Sequence, residues 1–295
     1  MPDIYEGLEV NNDTGNPLPV STNLGTNIIQ KYITQNIAII NSDQSVTLFT
    51  SKADSGYDWY ITRFSASGTQ NCRAELILTD ISGSVYIIDQ CEDASVWSSS
   101  GDIGTISVNN TDYKEGSGSL AVQCLFSQGG KQSGIIYKTY TTPIDIASYE
   151  AMSYWIKPDD INVSIAPYLK DNLGNQYVWP SIIPPDTNWL LYNIGLAEAN
   201  NIDLSNIQEI GFEINEINLI KSNINLLFDS IKLMEFYGKT VLSCIFVSPY
   251  GNVNRTFSPG IKIDNGKYIG IKITNESSSV GTFEGEISGI EVLQT

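Results

Sequence analysis

The stretch NLLFDSIKLMEFYG, residues 225–238, is mostly apolar and has the composition of a β-strand. Strand side chains alternate between two faces, so we expect Asp229 to share a face with Leu227, Ile231 and Leu233. A carboxylate turned toward an apolar core is unfavourable unless a cation or hydrogen-bond donors satisfy it. The stretch therefore predicts a core strand with a special carboxylate, and strand-like sequence continues beyond it to Thr295.

The charge and composition of the chain exclude several classes of function. The formal net charge is −17, and partners with a nucleic-acid backbone or an anionic membrane surface require basic patches. We therefore expect neither nucleic acid nor membrane as a partner. The sequence contains no histidine, which removes the commonest general base and the Ser-His-Asp systems. A glycosidase in its own right needs a pair of carboxylates, and no stretch marks one, so we predict that the protein is not an enzyme.

Targeting and cysteine signals are equally sparse. No apolar run has the length of a transmembrane helix, and residues 1–20 lack the basic start and apolar region of a signal peptide. The four cysteines, at 72, 91, 124 and 244, show no CxxC spacing that would suggest zinc. Two interpretations remain for them: small buried hydrophobic residues, or a disulfide framework.

Short runs of Val, Ile, Thr, Tyr and Phe, broken by Gly, Asn, Asp, Ser and Pro, recur along the chain. This pattern is typical of an all-β sandwich or barrel. The Asp-Asn-Gly sequence at 264–266 predicts a hairpin between its flanking strands. One short helical turn is expected in IDLSNIQEI, with Asp203 or Ser205 as its N-cap.

The chain divides into four pieces by composition. Residues 1–34 are polar and lack alternation, so they predict an extended N-terminal arm. The strand-rich segments 35–89 and 236–295 are each small for a domain, but joined they have an ordinary size. We therefore predict two β-sandwich or jelly-roll domains, with residues 90–235 inserted into the outer one. The alternative is three consecutive domains.

The central segment contains, in order, CEDASVW, DYKEGSGSLAVQC, YEAMSYWIKP, LKDNLGNQYVWP and LLFDSIKL. This series resembles carbohydrate-binding modules of the jelly-roll, galactose-binding-like type. The resemblance implies a structural Ca²⁺ at one rim, held by Glu92, carbonyl groups of the Lys114–Gly116 loop, and Asp229. Asp93 is an alternative to Glu92. Two other roles stay open for Asp229: a position at the wet end of its strand, or acceptance of backbone N–H bonds.

Aromatic residues in the central segment suggest a glycan platform. Sugars stack their C–H faces on aromatic rings while polar neighbours bind the hydroxyl groups. If the polar faces of three strands align, an exposed strip forms from Trp155, Tyr168, Tyr177, Trp179, Asp171 and Asn175. The alternative is that the strip packs under a loop or against a neighbouring subunit. The resemblance also implies that Trp97 and Trp189 are core residues.

NNDTGNPLPVSTNLGT, in the predicted arm, and FSPGIKIDNGKYIGIKITN, near the C-terminus, resemble segments of tailed-bacteriophage virion proteins. This resemblance implies a virion structural protein of the decoration, fibre or adhesin type. Its arm and outer sandwich would attach to other virion proteins in a homo-oligomer assembled in the host cytoplasm. Its inserted domain would reinforce the particle or bind host-surface glycans. The alternative is a non-catalytic carbohydrate-binding module or lectin of a glycan-active system.

Overall fold

The computed structural model describes residues 28–42, 44–49, 56–126, 132–218, 223–264 and 267–293. Within these ranges the chain is nearly all β-strand, with two short 3-10 turns at Ala94–Val96 and Leu204–Asn206. The prediction of an all-β fold is confirmed. Asp203 caps the second turn by accepting a hydrogen bond from the Ser205 N–H, as expected.

The strands of the described ranges are β1 Ile28–Ile40, β2 Ser45–Phe49, β3 Tyr57–Gly68, β4 Cys72–Asp89, β5 Trp97–Gly101, β6 Ile103–Asn109, β7 Ser119–Leu125, β8 Ser133–Ile144, β9 Ala151–Pro158, β10 Val163–Asp171, β11 Gln176–Val178, β12 Ser181–Ile182, β13 Leu190–Gly195, β14 Ile207–Glu216, β15 Asn223–Val247, β16 Gly251–Ile263, β17 Lys267–Asn275 and β18 Gly281–Leu293.

The strands form two sheets. Sheet A has the order β16-β3-β18-β1-β12-β10-β14-β8-β5, and β11 pairs with β10. Sheet B has the order β4-β17-β2-β13-β9-β15-β7-β6, and β4 also pairs with β15. The assigned pairs between strands are antiparallel, as expected for chain segments that read as alternating apolar and polar residues.

Aromatic side chains join the two sheets in the core. Phe212 of sheet A lies between two residues of sheet B, with ring centroids 5.0 Å from Tyr154 and 4.7 Å from Phe228. All three are buried, and burying a side chain of this size contributes roughly 2–3 kcal/mol. Alternation in β9 is as predicted, since Met152 and Ile156 also lie in this core.

Both sheets run continuously from the central segment into the outer ones. In sheet A, Ile37 of β1 faces Ile182 of β12. In sheet B, Leu48 of β2 faces Ile194 of β13, and β15 pairs first with β7 and β9 and then with β4. Strand β1 begins at Ile28, inside the predicted arm, whose residues 1–27 lie outside the described ranges. The division at 35, 90 and 236 stays a prediction.

The predicted hairpin around residues 264–266 is wrong. Strand β16 pairs with β3 in sheet A, whereas β17 pairs with β2 and β4 in sheet B. The chain therefore crosses between the sheets where a local pairing was expected; residues 265–266 themselves lie outside the described ranges. Long-range pairing has overridden a strong local turn signal.

The predicted alternation around Asp229 is also wrong in part. Leu226 and Phe228 are core residues, so Asp229 belongs to the opposite, outer face of sheet B. A register shift follows Asp229, and Ser230 has a φ of 49°. This bulge returns Ile231 and Leu233 to the core. Asp229 therefore does not share their face.

Three of the cysteines, Cys72, Cys91 and Cys124, are buried, Cys244 is partly buried, and none of the four forms a disulfide. This arrangement agrees with the interpretation as small hydrophobic residues. Helical segments long and apolar enough to cross a membrane do not occur in the part of the chain that the structure describes.

Candidate functional site

Asp229 lies on the outer face of sheet B, yet it is 0% exposed because the loop at 112–117 covers it. Its Oδ2 accepts hydrogen bonds from the N–H groups of Lys114, at 2.6 Å, and Glu115, at 2.9 Å. Burial raises the pKa of the Asp229 carboxyl, and these two N–H groups oppose that rise. The predicted role as an acceptor of backbone N–H bonds is thus met by one of its two oxygens.

Glu92 meets the same loop from the other side. Its carboxylate accepts a hydrogen bond from the Ser117 N–H. Gly116 has a φ of +69°, and a Cβ there would lie 2.0 Å from Glu92 Oε1. Glycine is therefore required twice over, by the left-handed backbone and by the carboxylate that lies against it. The structure brings together the predicted metal residues Glu92, Lys114 and Asp229.

The donor set fits a calcium ion in one respect. Asp229 Oδ1 is buried and has no hydrogen-bond partner among the described residues. A hard cation with oxygen ligands resolves such an orphan, and calcium takes both carboxylate and backbone carbonyl oxygens. No cluster of three or more His, Cys, Asp or Glu side chains suited to a metal occurs in the described ranges. Carbonyl oxygens of the loop would therefore have to complete the site.

Trp155 lies beneath this loop. Its indole N–H donates to Glu115 Oε1 at 3.2 Å, and the Lys114 ammonium is 5.2 Å from its ring centroid. Glu115 also accepts hydrogen bonds from the side chains of Ser230 and Lys232. The half-buried Trp155 thus matches the alternative in which an aromatic packs under a loop.

Trp189, expected in the core, is instead half-exposed on the same face. Its indole N–H donates to Asp112 Oδ1 at 2.7 Å, and Lys157 donates to Asp112 Oδ2 at 2.6 Å. These two hydrogen bonds, that of Lys157 first, lower the pKa of the Asp112 carboxyl. Trp97 is buried, as expected.

The predicted exposed aromatic strip is not formed. Trp155 belongs to β9 of sheet B, while Tyr168 and Tyr177 belong to β10 and β11 of sheet A and Trp179 follows β11. The latter three are only 3%, 8% and 1% exposed. Tyr177 and Trp179 contact each other edge-to-face at 4.9 Å, and the Trp179 N–H donates to the Gly195 carbonyl. They face the core because β11 pairs with β10 in a register that turns Tyr177 inward beside Leu169.

Tyr168 is the one of these three that lies on the outer face of sheet A. Its ring lies so close to Gly211 that a Cβ there would be 2.6 Å from the ring. Its hydroxyl donates to Glu209 Oε1 at 2.7 Å. Burial, ahead of this hydrogen bond, raises the pKa of Tyr168. Tyr168 is therefore covered and already partnered.

Asp171 and Asn175, the polar members of the predicted platform, organise a turn. Asp171 is buried and accepts hydrogen bonds from the N–H groups of Leu173, Asn175 and Asp203. The Asn175 side-chain amide donates at 2.8 Å to Oδ2, the oxygen that also accepts from Asp203, and this bond is the first cause of the lowered pKa of Asp171. Asn175 itself is exposed. The arrangement explains these residues as a scaffold for the β10–β11 connection.

A groove that sequence reasoning missed lies on the outer face of sheet A, beside β10 and β14. Its volume is about 670 Å³, within the range of small-ligand sites. Ser164 faces Asn215 and Ala166 faces Glu213 across the two strands, and these four positions alternate with core residues. The groove is lined by these four and by Asn41, Val178, Trp179, Pro180, Ser181, Ile183, Glu216, Ile217 and Thr282.

The groove combines apolar walls with polar groups and two carboxylates. Glu213 accepts a hydrogen bond from the Gln176 amide at 3.3 Å. Glu216, at the end of β14, is 4% exposed, and neither of its carboxylate oxygens has a hydrogen-bond partner in the described ranges. The sequence predicts alternation along β10, but it does not predict that β10 pairs with β14. The groove could therefore not be predicted from the sequence.

Comparisons with known proteins gave solved structures only. No family model and no curated protein matches the chain. The family 11 carbohydrate-binding module of the cellulase Lic26A-Cel5E of Clostridium thermocellum is 18% identical over 52% of this chain and 96% of its own, with a TM-score of 0.41. The module CBM27-1 of Caldicellulosiruptor saccharolyticus, solved with mannohexaose, is 10% identical over 52% and 98%, also with a TM-score of 0.41.

A third similar structure, TmCBM61 in complex with β-1,4-galactotriose, is 14% identical over 52% of this chain and 99% of its own, with a TM-score of 0.37. The jelly-roll likeness thus concerns about half of the chain. At these identities and TM-scores it carries no argument about function, and it does not bear on the predicted virion role.

Proposed function

We propose that this protein is a non-catalytic glycan-binding protein and that the groove on the outer face of sheet A is its binding site. The observation that carries the proposal is the groove itself, in which polar Ser164, Asn215 and Glu213 lie beside apolar lining residues such as Val178 and Ile183. Sites for small ligands combine mostly apolar walls with a few convergent polar groups. This is the alternative that the sequence left open beside a virion protein.

The lining residues indicate the class of saccharide. The partly exposed Val178 and Ile183 offer apolar contacts to the C–H faces of a sugar ring, while Asn215 both donates and accepts hydrogen bonds. When ionised, Glu213 accepts hydrogen bonds from hydroxyl groups. No Lys or Arg belongs to the described lining, so a uronic-acid polymer would meet two carboxylates without a compensating cation. We infer that the ligand is a neutral saccharide.

The carboxylates of the groove do not resemble a catalytic pair. Glycoside hydrolysis requires two carboxyl groups that flank the same bond. Glu213 and Glu216 are three positions apart on one strand, and Glu216 is only 4% exposed, so the two carboxyl groups are not placed on either side of one sugar bond. We therefore propose binding without hydrolysis, which predicts no release of reducing ends from any oligosaccharide that binds.

A binding series tests the proposal. Wild-type protein is titrated calorimetrically with neutral oligosaccharides and with uronic-acid oligomers, beside the double variant Glu213→Ala/Asn215→Ala. Loss of two hydrogen bonds should weaken neutral-sugar binding by on the order of tenfold or more. A matched double variant away from the groove, Glu150→Ala/Asn254→Ala, at two exposed positions, should bind like wild type. Equal affinity of wild type and the groove variant, or wild-type binding to none of the neutral sugars, overturns the proposal.

We also propose that Ca²⁺ binds between Glu92, Asp229 and the carbonyl groups of the loop from Lys114. The support is the orphaned Asp229 Oδ1 and the convergence of both carboxylates on one loop. The ion would fix the loop rather than take part in binding sugar. Metal analysis after mild chelation checks this: absence of calcium together with an unchanged melting temperature contradicts it.

The virion role, the attachment through residues 1–34, the homo-oligomer and the virion location stay predictions. Residues 1–27 lie outside the described ranges, and the groove and the covered rim are equally compatible with a protein that acts alone.

A further inference from the structure

The groove on sheet A is not lined by the central segment alone. Asn41, which follows β1, and Thr282, on β18, also belong to its lining, and both come from the outer segments of the chain. Both residues are exposed. The remaining lining residues lie between 164 and 217. The site is thus shared by three segments that are distant from one another in the sequence.

Hydrogen bonds hold these two residues in place. Thr69 donates to the Thr282 carbonyl through its N–H at 2.9 Å and its hydroxyl at 3.5 Å, and the Thr282 N–H donates to the Thr69 hydroxyl oxygen at 2.9 Å. The buried Asn275 amide donates to the carbonyls of Ile40, at 2.8 Å, and Asn41, at 3.3 Å. The backbone at both positions is therefore fixed before any ligand arrives, which lowers the entropic cost of binding.

The sheet itself sets the distance between the two halves of the lining. Ile182 of β12 faces Ile37 of β1 on one side and Ile165 of β10 on the other. Ile182 is buried in the common core. A continuous sheet therefore holds Asn41 beside the groove. Moving one segment as a rigid body would break these strand pairings.

We propose that Asn41 and Thr282 form an outer subsite of the groove, so that the outer segments complete the binding site for a neutral saccharide. The inference rests on the proposed function. The Asn41 amide N–H₂ already donates to Gln44 Oε1 at 3.1 Å, which leaves its Oδ1 as an acceptor for a sugar hydroxyl. The Thr282 hydroxyl can both donate and accept. A saccharide long enough to pass from Glu213 to Thr282 contacts both segments.

The experiment uses the full chain and a length series, from disaccharide to hexasaccharide, of the neutral sugar that binds in the calorimetric test. The variant Asn41→Ala/Thr282→Ala is compared with wild type and with a matched surface variant, Asn254→Ala/Thr256→Ala, on β16. Because Asn41 and Thr282 are exposed, we expect the melting temperature of their variant to stay near that of wild type.

We expect the Asn41→Ala/Thr282→Ala variant to lose on the order of tenfold in affinity for the longest sugars and to bind the disaccharide like wild type. Equal affinity for every length overturns the outer subsite. If Glu213→Ala/Asn215→Ala still weakens binding in that case, the proposed function stands and only this inference fails. If neither variant changes binding, or if wild type binds no sugar, both fail.

Discussion

The sandwich has one outer face at β9 and β15 of sheet B and another at β10 and β14 of sheet A. The two faces differ in what covers them. On sheet B, the covered face, the loop at 112–117 lies over Asp229 and Trp155. On sheet A, the open face, the positions of Ser164, Glu213 and Asn215 remain as the lining of a groove. Both faces start from the same pattern of polar residues between core residues. The difference shows that the covering segment, and not the strand, decides whether a polar position is buried in a structural contact or lines a groove.

On the covered face, backbone hydrogen bonds to the Asp229 carboxylate hold the loop in place. We expect the loss of these bonds to have the largest effect on stability. Asp229→Ala removes the acceptor of two backbone N–H groups and leaves them under the loop, so we expect the free energy of unfolding to fall by about 3 kcal/mol. Urea denaturation measures the change. Asp159→Ala is the matched control, because Asp159 also accepts two N–H bonds, both from Asn225, but is exposed. We expect it to lose less than about 1 kcal/mol; equal losses would contradict the comparison.

The second largest effect concerns the turn of the covering loop. Gly116 and Gly174 both have positive φ, but a Cβ at Gly116 meets Glu92, whereas at Gly174 nothing lies within 4 Å. Gly174→Ala should lower the free energy of unfolding by about 1 kcal/mol through the backbone alone. Gly116→Ala should lower it by about 2–3 kcal/mol, because the Glu92 carboxylate must also move. Similar losses in the two variants would mean that Glu92 is not held against the loop.

A buried carboxylate beside β2 of sheet B tests the comparison through the pH dependence of stability. Glu198 accepts a hydrogen bond from the Thr47 hydroxyl at 2.5 Å, and the Lys272 ammonium is 3.8 Å away. Burial raises the pKa of Glu198 above its ordinary value of 4.5, and these two groups only partly oppose the rise. Protonation therefore favours the folded state: the stability that it contributes is complete below pH 4.5 and is lost as pH rises through the raised pKa.

Glu198→Gln removes this pH dependence. Relative to wild type, the variant should gain stability as pH rises from 4.5 to neutrality, by about 1.4 kcal/mol for each unit by which the pKa is raised. Urea midpoints across this pH range measure it, with Glu284→Gln, an exposed carboxylate on β18, as the control. Parallel pH curves for wild type and Glu198→Gln would show that the carboxylate is well solvated in the folded protein.

The sequence predicted the strands of both faces, but it did not predict where a strand bulges or which segments cover each face. Alternation in β9 correctly separated Met152 and Ile156 from Trp155, because burial of one strand face is a local pattern. The bulge after Asp229 places Ile231 and Leu233 on the face opposite to the carboxylate, and no residue near Ser230 predicts this bulge. The aromatic strip failed for another reason: it required strands of two different sheets to be neighbours.

The rim was easier to predict than the groove. Glu92, Lys114 and Asp229 came from a resemblance, and the structure places all three around one loop. The groove depends on the pairing of Ser164 with Asn215 and on a wall from Thr282, which are long-range facts. Local patterns specify which side chains leave a strand together, and only the sheet order specifies what they meet.

The smallest expected effect lies on the open face. Glu213→Ala/Asn215→Ala removes partly exposed groove residues, so we expect the free energy of unfolding to change by less than about 0.5 kcal/mol even where sugar binding is lost. Asp112→Ala is the counterpart on the covered face, and it should lose about 1 kcal/mol because Lys157 and Trp189 lose their acceptor. Urea denaturation of both variants gives the ratio. If the groove variant is destabilised as much as Asp112→Ala, the polar residues of the open face stabilise the fold, as those of the covered face do.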